Sequence, residues 1–203
     1  HPLPSVHHRH DRPDYGGIPE PYGQGPDLPV AHRQTGSEYQ PDTAENLYIW
    51  ARSLTKMREE MEEQCSARIF LGGRSSGYKG KYPGVLEELL IAIRHEHPVY
   101  LIGAFGGITS DIIEALKGYR AESLTMDFHQ QSTIYNQMLG IYSTETNEKI
   151  DYDSCFQQLA ELGLKGLSEL NGLSQKDNLR LASTPHISEI VYLIIKGLTK
   201  TLS

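Results

Sequence analysis

A Rossmann-like α/β fold is predicted for this chain, a mostly parallel sheet flanked by helices, with a C-terminal helical extension and a Pro-rich N-terminal segment. Three observations predict it. The stretch from Ala67 to Gly107 reads ARIFLGG, RSSGYKGKYPGVLEELLIAI and RHEHPVYLIGAFGG, which is strand, glycine-rich loop, helix, strand and a second glycine turn. Both glycine clusters fall at the carboxyl ends of their strands, where open α/β sheets bind ligands. The residues after Gly107 carry apolar spacing of three and four, which is helical.

His1 to Pro41 holds eight of the eleven prolines and reads as loop, so the organised domain is placed at 42–203. His7, His8 and His10 lack the carboxylate or cysteine frame of a zinc site, and no metal is assigned to them. Asp42 and Glu45 have the spacing of a helix-capping pair. Leu47, Trp50, Leu54, Met57 and Met61 then form one apolar stripe, expected to face the core, with Lys56 and Arg58 flanking it.

The strand from Ala67 ends in a loop rich in glycine, including Gly72, Gly73, Gly77, Gly80 and Gly84, whose backbone N–H groups can approach a ligand closely. Pro83 suits the first position of a helix and Glu87 and Glu88 its first turn, so the helix is expected to start near Tyr82. Arg74, Lys79 and Lys81 add positive charge, which suits a phosphate better than a neutral ligand. Glu87 and Glu88 are adjacent and diverge by about 100° on a helix, which excludes a facing general acid/base pair; either could hold a ribose hydroxyl. At the second turn, Phe105 beside Gly106 and Gly107 either stacks on a ligand ring or plugs the core.

A helix is expected from Ile108 to Lys117, with Ile112, Ile113 and Leu116 inward and Asp111 as a solvated first-turn acid. Glu122 to Asn147 reads as a short helix followed by loop. Further helices are expected at 152–162, at 174–182 with Ser174 and Asp177 as a capping box, and at 185–198. The last has a broad apolar face that suggests contact with more than one surface, with His186 beside its start as a surface or cap residue.

Composition narrows the function. A net charge of −7 argues against nucleic-acid backbone binding. No apolar run reaches the ~18 residues of a membrane span and no signal peptide is visible, so the expected compartment is the cytosol. Cys65 and Cys155 lack CxxC spacing, fall in predicted helices and are read as reduced and structural. No Ser-His-Asp, HExxH, Walker or EF-hand pattern is present.

The segment GKYPGVLEELL resembles the helix start of LOG-type phosphoribohydrolases and related DprA folds. The longer stretch from Leu47 to Leu116, SLTKMREEMEEQCSARIFLGGRSSGYKGKYPGVLEELLIAIRHEHPVYLIGAFGG included, and Leu170 to Leu198 resemble the SLOG branch found beside TIR and Sir2 effectors in bacterial defence proteins. The resemblance implies a sensor of an ADP-ribose-related nucleotide, linear or cyclic, made by a partner TIR enzyme and switching an effector such as a Sir2-type NADase. Its binding residues would be Gly72, Gly73, Arg74, Lys79, Gly80, Lys81, Tyr82, Pro83, Gly84, Glu87, Glu88, Phe105, Gly106 and Gly107, with no catalytic residue and no cofactor besides the nucleotide. It also implies an upstream strand with another glycine motif, so the chain reads as the distal part of a larger protein. Two alternatives stand: a LOG-like nucleotide N-glycosidase using Glu88, and a homo-oligomerisation module built on the C-terminal helices. LOG enzymes carry a catalytic arginine-lysine pair on the helix before the strand, where aligning the glycine pairs places Lys56 and Met57 instead.

Overall fold

The computed structural model describes residues 42–202. The Pro/His-rich segment and its histidines lie outside the described residues. Eleven elements follow in order: α1 (Ala44–Glu62), β1 (Arg68–Leu71), α2 (Gly84–Arg94), β2 (Val99–Ile102), α3 (Ile108–Leu116), a 3-10 turn (Glu122–Leu124), α4 (Met126–His129), α5 (Thr133–Thr146), α6 (Tyr152–Asn171), α7 (Gln175–Ser183) and α8 (Ile187–Thr201). The α/β class and the βαβ unit are as expected, but helix dominates. Among the described residues the sheet has two parallel strands, with Arg68 opposite Val99 and Leu71 opposite Ile102.

β2 is buried on both faces, as its uninterrupted apolar sequence VYLI dictates. Val99 and Leu101, with Phe70 of β1, join a core built from α1, α2, α3, α5 and α6, whereas Tyr100 and Ile102 join a second cluster with Leu181, Ile190 and Leu193. Leu86, Leu89 and Ile91 anchor α2 in this interior; burying each such side chain contributes about 1.5–3 kcal/mol. β1 is half covered, since Ile69 and Leu71 stay exposed on the face opposite Phe70.

Several expectations are corrected. α1 is capped by Thr43, whose hydroxyl accepts from the Asn46 N–H at 3.2 Å; Asp42 instead pairs with Lys79 at 3.1 Å. The apolar stripe of α1 is not its inner face: Trp50, Met57 and Met61 are exposed, and Ala44, Ala51, Arg58 and Glu62 are buried. The reason is that α1 lies against an arginine–glutamate network and α5, which demand small and charged side chains there. α2 begins at Gly84 with Pro83 as its cap, two residues after Tyr82.

The stretch expected to be loop after a short helix contains the 14-residue α5, packed on α1 through Tyr135, Met138 and Tyr142. Its apolar period is weak because tyrosines do the packing. α6 runs on to Asn171 rather than ending at Leu162, bending at Gly163, where φ is +54°. The capping box at Ser174 and Asp177 forms as expected, Ser174 accepting from the Asp177 N–H at 3.1 Å. Asp111 is not a free solvated acid: it accepts from the Ser123 hydroxyl at 2.5 Å. Cys155 is a free thiol within α6, and Cys65 is free but lies just beyond α1. No described helix is long and apolar enough to cross a membrane.

Candidate functional site

The two glycine turns meet. The Gly73 carbonyl accepts from the Ile108 N–H at 3.1 Å and the Gly72 carbonyl from the Thr109 N–H at 3.0 Å, so the start of α3 is closed by the loop after β1. Gly107 has φ +69°, and a Cβ there would sit 2.4 Å from the Gly73 carbonyl oxygen. Gly72, Gly73 and Gly107 therefore hold the turns together, and the N–H groups of Ile108 and Thr109 are not available to an anion. Phe105 is half exposed beside this junction, which removes the core-plug alternative and leaves its ring open to stacking.

The start of α2 differs. The first backbone bond of that helix runs from the Glu87 N–H to the Pro83 carbonyl, and no side chain caps it. The N–H groups of Gly84, Val85 and Leu86 have no acceptor among the described residues, although Glu87 places a carboxylate in the same first turn. The Arg58 guanidinium lies against this turn. A Cβ on Gly84 would meet Arg58 Nη2 at 2.8 Å, so the missing side chain is what admits the arginine.

Arg58 holds both carboxylates of α2 at once. Its Nη1 donates to Glu87 at 2.5 Å and its Nε to Glu88 at 3.2 Å, while Nη2 makes no hydrogen bond among the described residues. Glu87 is also reached by the Thr55 hydroxyl and by Lys81 at 3.8 Å. The network continues from Glu88 to Arg68 at 3.6 Å, from Arg68 to Glu62 at 2.8 Å, and to Glu62 from His97 Nδ1 at 2.6 Å. Glu87 and Glu88 thus diverge on their helix, as read from the sequence, and a common arginine spans the gap.

Of the three loop cations, Lys79 lies 5.8 Å from the centroid of the Trp50 ring, and Lys81 is turned inward toward Glu87 and the Tyr142 hydroxyl at 3.5 Å. Arg74 is exposed and makes no hydrogen bond or ion pair among the described residues. Tyr82 points away from the glycine turns, accepting from the Asp151 N–H at 2.8 Å.

Behind the loop lies a tyrosine–histidine network. His129 Nε2 faces the Ser123 carbonyl at 2.8 Å, which can only accept, so this nitrogen carries the proton. In the neutral ring Nδ1 then accepts from the Tyr78 hydroxyl at 3.0 Å, which in turn accepts from Tyr152 at 2.5 Å. Burial holds the His129 pKa below the usual imidazole range and pushes the Tyr78 and Tyr152 hydroxyls far above theirs, so the network stays uncharged. The Tyr135 hydroxyl donates to the Lys81 carbonyl at 2.6 Å and so pins the other end of the loop.

Sequence reasoning placed Arg58 beside the apolar stripe and missed its role; Lys56, nearer the expected register, is exposed and pairs with Glu60 at 3.7 Å. The cluster Tyr78, His129, Tyr135 and Tyr152 had no signal in spacing, because its members come from a loop and three helices. The described residues contain no group of three or more His, Cys, Asp or Glu side chains suited to a metal ion. No curated protein and no solved structure matches the chain. The family model of SLOG cluster2 matches residues 19–181, a span that contains both glycine turns, α2 and Arg58, and the chain belongs to the SLOG superfamily.

Proposed function

We propose that this SLOG domain binds a nucleotide with its phosphates at the open first turn of α2. The carrying observation is that three unpaired backbone N–H groups, Gly84 to Leu86, lie beside an Arg58 guanidinium with an unused Nη2. Fixed N–H dipoles plus a planar cation are what an anionic oxygen requires. Arg74 and Phe105 supply a second cation and an exposed ring nearby, and Lys79, Gly80, Lys81, Tyr82, Pro83, Glu87 and Glu88 shape the loop and its ribose side. The βαβ unit is read as part of a Rossmann-like sheet.

The finer reading is a cytosolic sensor of an ADP-ribose-type signal, linear or cyclic, that switches a TIR or Sir2 effector in antiphage defence. It is supported by the resemblance of Leu47 to Leu116 to that branch. The uncharged stripe of Ile187, Val191, Tyr192 and Ile195 on α8 supports self-association of such a sensor.

A hydrolase reading is favoured by one contact, Arg58 against Glu88, because cleavage of an N-glycosidic bond needs a carboxylate beside a cation. Sensing is preferred because the two Glu88 oxygens already face Arg58 and Arg68. The test is to incubate the protein with AMP, ADP-ribose, NAD and a cyclic ADP-ribose isomer, following binding by calorimetry and products by chromatography. Binding with unchanged ligand, weakened in Glu88→Gln, supports the sensor; release of free base that disappears in Glu88→Gln establishes the hydrolase, and absence of binding refutes both.

A further inference from the structure

A second concavity lies on the other side of α2 from the glycine junction, between α1, α2 and the start of α6, and has a volume of about 360 Å³. Its charges are unequal. Lys81, Arg94 and Lys149 line it against two carboxylates, Glu87 and Asp151. Both carboxylates are committed elsewhere: Glu87 to Arg58 and Thr55, and Asp151 to the N–H groups of Asp153 and Ser154 at 2.9 and 3.0 Å as the cap of α6.

Lys81 is turned toward Glu87 and Tyr142, but the other two cations are less committed. Lys149 has no partner among the described residues, and Arg94 reaches only Glu59 at 4.0 Å across an exposed surface, a pair of little strength. The cleft therefore presents net positive charge at its rim. One wall is apolar, formed by Leu90 and the buried Ile91. Cys155 at the base stays a neutral thiol, its pKa pushed up by burial to about 11, so it adds no negative charge to oppose an anion.

We propose that this cleft is a second ligand site, distinct from the open first turn of α2, for a small phosphomonoester with a compact apolar body. The phosphate engages Arg94 and Lys149 at the rim, and the body lies on Leu90 and Ile91. Lys81 and Glu87 border both this cleft and the loop before α2, so occupancy here reaches the first site through groups the two share.

The test is an amide-resolved NMR titration of the protein with phenyl phosphate and, separately, inorganic phosphate. Shifts at Arg94 and across residues 149–158 are expected with both, and phenyl phosphate binds about tenfold more tightly because its ring covers the apolar wall. The Arg94→Ala/Lys149→Ala protein, with both changes at exposed positions, loses affinity at least tenfold at unchanged melting temperature, and Lys149→Glu alone does the same. Arg74→Ala leaves the 149–158 shifts in place. Shifts confined to residues 72–88, equal affinity for the two probes, or undiminished affinity in the double variant would overturn the proposal. Since Arg94 and Lys149 lie outside the nucleotide site, such a failure leaves the nucleotide reading intact.

Discussion

Replacing Arg58 by alanine tests the reading that one buried guanidinium organises the start of α2. Its side chain is 8% exposed and pairs with Glu87, which is 4% exposed, and with Glu88, which is 27% exposed. Removing one partner of a buried ion pair costs about 3–5 kcal/mol, because the other charge is left without compensation. Glu87 keeps the Thr55 hydroxyl and Lys81 at 3.8 Å, and Glu88 keeps Arg68 at 3.6 Å and some solvent, so a loss near the lower end, about 3 kcal/mol, is expected. Urea unfolding measures it as a fall in midpoint at constant slope. Arg58→Met combined with Glu87→Gln leaves no buried charge from that pair unmatched, so the double variant should recover much of the loss. A fall below about 1 kcal/mol in Arg58→Ala would show that the network is not what holds α2 against α1.

Further outcomes follow from the same contacts. Gly84→Val should abolish nucleotide binding in calorimetry, because its Cβ would displace Arg58 Nη2 from 2.8 Å; retained affinity in a folded variant would move the site elsewhere. Gly107→Ala should cost about 2 kcal/mol or more in thermal unfolding, since it combines a positive φ with a clash on the Gly73 carbonyl, and an unchanged melting temperature would refute the closed junction. His129 should make stability fall with acidity. Its folded pKa is below the unfolded 6.5, so the unfolded chain binds more protons as pH drops through 6.5, and stability present above that pH is lost. Urea midpoints at pH 7.5 and 5.5 should therefore separate more in the wild type than in His129→Gln; equal separations would refute the buried neutral ring. Iodoacetamide at pH 8 should label the partly buried Cys65 before the buried Cys155, whose pKa of about 11 and burial suppress the thiolate; mass spectrometry finding the reverse order would refute this.

The βαβ order was legible because it depends on local chemistry: a short apolar run can only be a strand between turn residues, and Pro83-Gly84 followed by two glutamates is a helix start. The capping box of α7 was legible for the same reason, since donor and acceptor lie three residues apart. The α1 face was misread because periodicity reports where apolar residues recur, not which surface a neighbour will cover. Here the neighbour is a charged network, so Trp50 and Met57 face out and Arg58 faces in.

The site divides in the same way. Its glycines and loop cations could be named from the sequence, but their division of labour could not. The closed junction at Gly72, Gly73 and Gly107, the open turn at Gly84 and the inward rotation of Lys81 depend on contacts between residues far apart in the chain, such as Gly73 with Ile108, Arg58 with Gly84 and Lys81 with Tyr142. The tyrosine cluster spans positions 78 to 152 and leaves no pattern in any window of the chain. The sequence by itself determined the order of strand, glycine loop and helix, because backbone preference and turn chemistry act over a few residues. Tertiary structure decided which glycines pack and which admit Arg58, because close approach and ion pairing exist only once distant segments share a volume.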